Sequence, residues 1–97
     1  MYGTVARMQA QAGKREQLLA YGQSWTQERG HAVPGFVKSY LLVPDANAAE
    51  VLLCAIFTDK AAYEANANDP AQDRWYQGLR ALLVADPTWE DGEIHEG

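Results

Sequence analysis

A row of seven apolar residues, 51–57, lies between Glu50 and Thr58. Side chains alternate across a β-strand, so a strand with one face in water reads apolar then polar, whereas a continuous apolar run indicates burial on both faces. A chain of this length has room for two substantial helices, which can cover one face of a sheet. The pattern therefore predicts a second cover for the other face, and another copy of the chain is the simplest candidate.

The remaining pattern predicts three further strands, at 2–11, 36–43 and 88–96. On the first of them, Thr4, Ala6, Met8 and Ala10 share one side. On the second, Phe36, Lys38 and Tyr40 alternate with Val37 and Ser39, which predicts one shared face for the first three. We assign Lys38 and Tyr40 to a contact between subunits rather than to catalysis.

Two substantial helices are predicted. The first covers 14–29, with an apolar stripe at Leu18, Tyr21, Gly22 and Trp25, and Gly30 is predicted to end it in a left-handed conformation. A short helix after Thr58-Asp59 breaks near 66–68. The second begins with Asp69 as N-cap, Pro70 as first residue and Gln72 at the capping-box position. Its stripe of Trp75, Leu79, Leu82 and Leu83 continues to a stop at Asp86-Pro87.

The order strand, helix, strand, strand, helix, strand is that of the ferredoxin-like fold. We predict an α+β protein with one domain, 1–97, in which a four-stranded antiparallel sheet carries its helices on one face. The other face is left bare. Packing of two such faces would form a homodimer and would bury the run at 51–57 on both sides.

Composition agrees with one domain and limits the partners. The chain has 97 residues, of which 47% are hydrophobic, and a single cysteine, Cys54, so it forms no internal disulfide. The net charge of -5 disfavours nucleic acid and anionic membranes as partners. The N-terminus lacks the features of a secretion signal, and no apolar run approaches the roughly 20 residues that span a bilayer. A cytoplasmic protein is the expectation.

Several short motifs lie between 63 and 93. They read Tyr63-x-x-Asn66, Asn68-Asp69-Pro70, Gln72-Asp73-x-Trp75-Tyr76, Leu79-Arg80-x-Leu82-Leu83, Asp86-Pro87-x-Trp89 and Asp91-Gly92-Glu93. Together with the order of elements and the strands that are apolar on both faces, these motifs resemble the antibiotic biosynthesis monooxygenase domain of the dimeric α/β-barrel superfamily. The resemblance covers nearly the whole chain.

The resemblance implies a homodimer whose sheets pack face to face, with a small cavity between helices and sheet in each subunit. It also implies oxidation of an electron-rich aromatic or quinol-type compound by molecular oxygen, with no cofactor and no metal. Other relatives degrade haem with a histidine on the second helix. This chain has its two histidines elsewhere, at His31 and His95, which disfavours haem ligation.

By the same resemblance, Asn66, Trp75, Tyr76 and Arg80 are the candidate catalytic residues, and Tyr63 and Trp25 are candidate substrate contacts. Arg80 follows Tyr76 by one helical turn, so the two could bracket an anion. Structural roles remain open for each residue. Trp75 fits a core anchor, Tyr76 and Arg80 fit a half-exposed pair, and Asn66 fits a backbone cap.

Two functions remain open. One is a cofactor-independent monooxygenase, and the alternative is a non-catalytic dimeric module for small-molecule binding or stress response. A roomy cavity lined by Asn66, Tyr76 or Arg80 would favour the first, and a filled cavity would favour the second. Asp91, Glu93 and His95 share one side of the last strand and form a conceivable metal site, but we favour a solvated acidic strand edge, because charges protect edge strands from pairing.

Overall fold

The structure, a computed structural model, describes residues 1–97 and has the predicted order of strands and helices. The elements are β1 (Tyr2–Gln9), α1 (Arg15–Glu28), a 3₁₀ turn (Gly30–Ala32), β2 (Phe36–Leu42), β3 (Glu50–Phe57), α2 (Lys60–Ala67), α3 (Pro70–Arg80) and β4 (Thr88–Glu93). The strands form one antiparallel sheet in the order β2-β3-β1-β4. The predicted α+β ferredoxin-like fold is confirmed. None of the helices combines the length and the apolar character needed to cross a membrane.

The inner face of the sheet lies under the helices and holds the buried strand residues. On β1, Thr4, Ala6 and Met8 are buried there, as their alternation predicts. Ala6 pairs with Leu53 of β3, so the inner face of β3 comprises every second residue from Val51 to Phe57. Four of the seven residues of the apolar run therefore pack under the helices.

The other three residues of the run point to the outer face, which carries no helix. Leu52, Cys54 and Ile56 of β3 lie there, because their partners on β1 are Arg7, Val5 and Gly3. The neighbouring outer residues are strongly exposed in the single subunit. Their exposed fractions are 44% for Val5, 55% for Tyr40 and 57% for Leu42.

A β-bulge changes one predicted face. Between Phe36 and Lys38 the register with β3 shifts, so that Phe36 pairs with Phe57 on the inner face while Lys38 pairs with Ile56 on the outer face. The prediction that Phe36 shares a face with Lys38 and Tyr40 is wrong. One extra residue in a strand reverses the side on which the preceding residues point.

The ends of two helices differ from prediction. Only Gly13 and Gly35 have positive φ, so the left-handed cap predicted at Gly30 is wrong; Gly30 instead begins the 3₁₀ turn. Asp59 and Asp69 cap α2 and α3 as predicted. However, α3 ends at Arg80 and not at Asp86-Pro87.

Pairing with the first strand explains the early end of α3. Leu83 forms an isolated bridge with Ala10, and the backbone N–H of Gln11 donates to the carbonyl of Leu82. These bonds draw the chain out of the helix. They also place Leu83 in the buried core with Leu18 and Leu79, near the end of β1.

Candidate functional site

A cavity of about 370 Å³ lies between the inner face of the sheet and the helices. Its walls are mainly apolar and aromatic. Of the six residues predicted for the site, five line this cavity: Trp25, Tyr63, Asn66, Trp75 and Tyr76. Arg80 is not among the lining residues.

Aromatic contacts hold the ring of Trp75 in the cavity wall. Tyr21 stacks on it with ring centroids 5.1 Å apart, and Trp25 meets it edge to face at 6.5 Å. The Tyr21 hydroxyl also donates to the backbone carbonyl of Trp75 over 2.9 Å. Gly78 leaves the space for that hydroxyl, because a Cβ at this position would lie 2.0 Å from it.

The indole nitrogen of Trp75 is buried and has no hydrogen-bond partner in the protein. An unsatisfied buried donor costs about 1–3 kcal/mol. Trp75 lines the cavity, but its indole nitrogen has almost no accessible surface there, so an oxygen atom of a bound molecule could satisfy this N–H only after a small movement of the ring. The core-anchor role is also visible in the ring contacts, so Trp75 combines packing with a free donor.

A network of side chains joins the three helices beside the cavity. The Trp25 indole donates to Gln72 Oε1 over 2.7 Å, and Arg29 Nε donates to the same oxygen over 3.3 Å. Arg29 Nη2 donates to Asn66 Oδ1 over 3.1 Å and lies 3.6 Å from a carboxylate oxygen of Asp69. The side chain of Gln72 is therefore engaged by α1, and the capping-box bond predicted for it is not formed.

Gln72 and Arg29 are the residues of this region that the sequence reading missed. Gln72 lines the cavity, but its position after Asp69 suggested only a cap. Arg29 stands at the end of α1 in a run of polar residues, with no motif around it. The backbone-cap role considered for the side chain of Asn66 is not seen, because its oxygen accepts from Arg29.

Two phenols in the cavity wall remain protonated near neutral pH. Burial raises the pKa of Tyr63 to about 12, helped by the hydrogen bond of 2.9 Å that its hydroxyl donates to Asp91 Oδ1. Burial also raises the pKa of Tyr76, with Asp86 adding to the effect and Arg80 opposing it. Both side chains can thus donate a hydrogen bond, and neither is suited to remove a proton.

Tyr63→Phe is expected to reduce the loss of stability on going from pH 10 to pH 12. In this interval the unfolded chain releases the Tyr63 proton while the folded protein keeps it until about pH 12. The unfolded state then binds fewer protons, so the free energy of unfolding falls as pH rises. Urea unfolding across this interval measures the effect. An equal loss of stability in both proteins would contradict the raised pKa.

Arg80 lies at the end of α3, where its guanidinium is engaged away from the cavity. Nε donates to Asp86 Oδ1 over 2.7 Å, and Nη1 donates to the carbonyl of Leu83 over 3.3 Å. Arg80 is close enough to Tyr76 to influence its pKa, but the structure does not bring the guanidinium into the cavity wall.

The acidic end of β4 shows no metal-binding arrangement. Asp91 accepts from Tyr63, whereas Glu93 and His95 approach each other at 3.6 Å in an exposed pair. No three His, Cys, Asp or Glu side chains are grouped so that they could hold a metal ion. His31 lies exposed in the 3₁₀ turn.

The fold and the cavity define a ferredoxin-like α+β protein with an aromatic cavity between its helices and its sheet. The chain belongs to the antibiotic biosynthesis monooxygenase family, whose family model matches residues 1–78. No protein of curated function matches the sequence.

Solved structures with the same fold cover almost the entire chain. SnoaB, a cofactor-independent oxygenase from Streptomyces nogalater, is 19% identical, with a TM-score of 0.77 over 99% of this chain and 94% of that one. A protein of unknown function from Nitrosomonas europaea is 19% identical, with a TM-score of 0.79 over 99% and 90%. A conserved protein from Methanosarcina mazei Go1 is 12% identical, with a TM-score of 0.81 over 97% and 92%. At these identities the likeness shows the fold alone.

Proposed function

We propose that this protein is a cofactor-independent monooxygenase that oxidises a small aromatic or quinol-type compound with molecular oxygen. The observation that carries the proposal is the cavity of about 370 Å³, which is lined by Asn66 and Tyr76 and by a tryptophan with an unused N–H. Family membership supports it, as does the structural likeness to a protein described as a cofactor-independent oxygenase.

The reaction needs few groups from the protein. When a ring methylene of the substrate becomes a carbonyl, one oxygen atom of O₂ enters the product and the other leaves as water with the two hydrogens. The substrate itself supplies the electrons. Loss of its first proton to solvent water gives a phenolate-like anion that must be stabilised while it reduces oxygen. Fixed donors at the developing negative charge supply that stabilisation.

The residues that line the cavity include such donors. The indole N–H of Trp75 is unpartnered, and the oxygen of the Asn66 carboxamide is bound to Arg29, which leaves the NH₂ group of Asn66 free. The hydroxyl of Tyr76 is protonated at neutral pH, and burial raises its pKa further. We assign these three residues to stabilisation of the substrate anion, and Trp25 and Tyr63 to contacts with its ring system.

We further propose a homodimer that forms through the outer sheet face. The apolar surface of Val5, Tyr40, Leu42 and the alternate residues of β3 supports this assembly. In the dimer, the run at 51–57 is covered by helices on one side and by the second sheet on the other. Lys38 lies at the same face and contributes a contact between subunits.

Oxygen uptake tests the oxygenase proposal. Purified protein is incubated with a panel of hydroquinones and anthrone-type phenols in the presence of EDTA, and oxygen is followed with an electrode. We expect consumption above that of heat-denatured protein for at least one compound, with the carbonyl product identified by mass spectrometry. No consumption above the control across the panel would contradict the proposal.

The second candidate is a non-catalytic dimeric module for small-molecule binding or stress response. One observation favours it, because the cavity has no free base within it. Asp73 is the lining carboxylate and is exposed, whereas Asp91 already accepts from Tyr63. Tight binding of panel compounds without oxygen uptake would support this second function.

A further inference from the structure

Arg29 ties the ends of three helices together behind the cavity wall. It follows α1 directly, its side chain is only 19% exposed, and it does not itself line the cavity. Its guanidinium reaches Gln72 at the start of α3 and Asn66 in the last turn of α2. On its other side Arg29 lines a separate surface depression. It can therefore act on a ligand in the cavity only through the residues that it holds.

The partners of Arg29 decide which atoms the cavity presents. A guanidinium and an indole can only donate hydrogen bonds, so the carboxamides of Asn66 and Gln72 must turn their oxygens towards Arg29 and Trp25. Asn66 Oδ1 receives one such bond and Gln72 Oε1 receives two. No protein group accepts from the nitrogen of either carboxamide. Because both residues line the cavity, the atoms left for a ligand are N–H donors.

One other polar group of the wall, the indole of Trp75, acts in the same sense, whereas Thr4, Tyr63 and the exposed Asp73 offer acceptors elsewhere in the wall. Trp75 has an unpartnered N–H, whereas the Thr4 hydroxyl uses its one proton on the carbonyl of Glu90 and can only accept from a ligand. The charge of Arg29 is offset by the Asp69 carboxylate 3.6 Å away. Arg29 thus orients the carboxamides without giving the cavity an uncompensated positive charge.

We propose that Arg29 is a positioning residue that makes the carboxamides of Asn66 and Gln72 hydrogen-bond donors towards the cavity. The cavity then selects flat aromatic ligands that present accepting oxygens over ligands of equal size that present N–H groups. This inference rests on the proposed function in taking the cavity as the ligand site. It requires no turnover, so binding alone tests it.

The test compares 9-fluorenone, which has one accepting carbonyl, with carbazole, which has one N–H, in titrations followed by ¹H–¹⁵N NMR. The native protein is expected to bind fluorenone about tenfold more tightly, which corresponds to one or two net hydrogen bonds. Fluorenone should also shift the indole N–H signal of Trp75 and the side-chain NH₂ signals of Asn66 and Gln72.

Arg29→Met keeps an apolar side chain but removes every hydrogen-bond donor, so the carboxamides of Asn66 and Gln72 can rotate. The preference for fluorenone over carbazole is then expected to fall to about twofold or less. Arg29→Lys keeps the charge beside Asp69 and should restore part of the preference. Arg15→Met is the matched control, because Arg15 lies at the opposite end of α1 and forms its side-chain hydrogen bonds only with Glu16. It should keep the native preference.

Gln72→Glu tests the same inference if Arg29→Met does not fold. It keeps an oxygen for Trp25 and Arg29 but replaces the free NH₂ group by an acceptor, so it should reduce the preference with the fold retained. Equal binding of the two ligands by the native protein, binding of neither, or a native preference in folded Gln72→Glu would overturn the inference. A preference without oxygen uptake would contradict only the proposed oxygenase.

Discussion

Trp75→Phe is expected to lower the rate of oxygen uptake by about a hundredfold, the usual cost of removing one donor from an anion-stabilising site. The phenylalanine ring can still stack on Tyr21 and meet Trp25, so the wall of the cavity persists. Stability should change little. Loss of ring area destabilises the fold, but removal of an unsatisfied buried N–H offsets it by about 1–3 kcal/mol. Oxygen uptake and thermal unfolding of the same preparation measure both effects.

Trp25→Phe is the matched control for this prediction. It removes the indole N–H of Trp25, which also lines the cavity, but this N–H already donates to Gln72 over 2.7 Å. We expect a smaller fall in rate, about tenfold or less, and a loss of about 1 kcal/mol in the free energy of unfolding because one hydrogen bond disappears. Native turnover in Trp75→Phe would contradict the donor role. Equal losses of rate in both variants would indicate that the two indoles only fill space.

The fold was largely predictable because each element has a strong local signal. The alternation of Thr4, Ala6 and Met8 predicted the buried face of β1, and the carboxylates of Asp59 and Asp69 marked the starts of α2 and α3. Two errors concern features without such signals. The bulge before Lys38 depends on pairing with β3, and the end of α3 depends on the bridge to Ala10.

The candidate site was predictable to the extent that its residues lie on apolar helix faces. Trp25 and Trp75 reach one cavity because each belongs to the stripe that turns its helix towards the sheet. Arg80 lies on the same side of α3 as Tyr76. However, Asp86, in the segment that follows α3, accepts a hydrogen bond from the guanidinium of Arg80 and holds it away from the cavity. Arg29 could not be identified because its carboxamide partners are 37 and 43 residues away and meet it only after the helices pack.

Cys54→Asp is expected to convert the dimer to monomer at micromolar concentration. Cys54 lies on the outer face of β3, and its direct partners, Val5 and Tyr40, carry no charge. The cations of this face, Arg7 and Lys38, lie two residues further along the neighbouring strands, and Arg7 is already paired with Glu50. An uncompensated charge at a buried position costs about 3–5 kcal/mol, which corresponds to at least a hundredfold rise in the dissociation constant. The twofold symmetry of the proposed dimer would bring in two such charges. Sedimentation velocity measures the mass in solution.

Two controls separate assembly from other effects of the substitution. Cys54→Ala removes the thiol without adding a charge and should remain dimeric. Gln17→Glu adds one negative charge on the exposed side of α1 and should also remain dimeric. A native protein that sediments as a monomer at micromolar concentration would contradict the dimer, and the half-buried Leu52, Cys54 and Ile56 would then need another cover. Because Leu53 and Ala55 line the cavity from the same strand, monomeric Cys54→Asp should also show slower oxygen uptake.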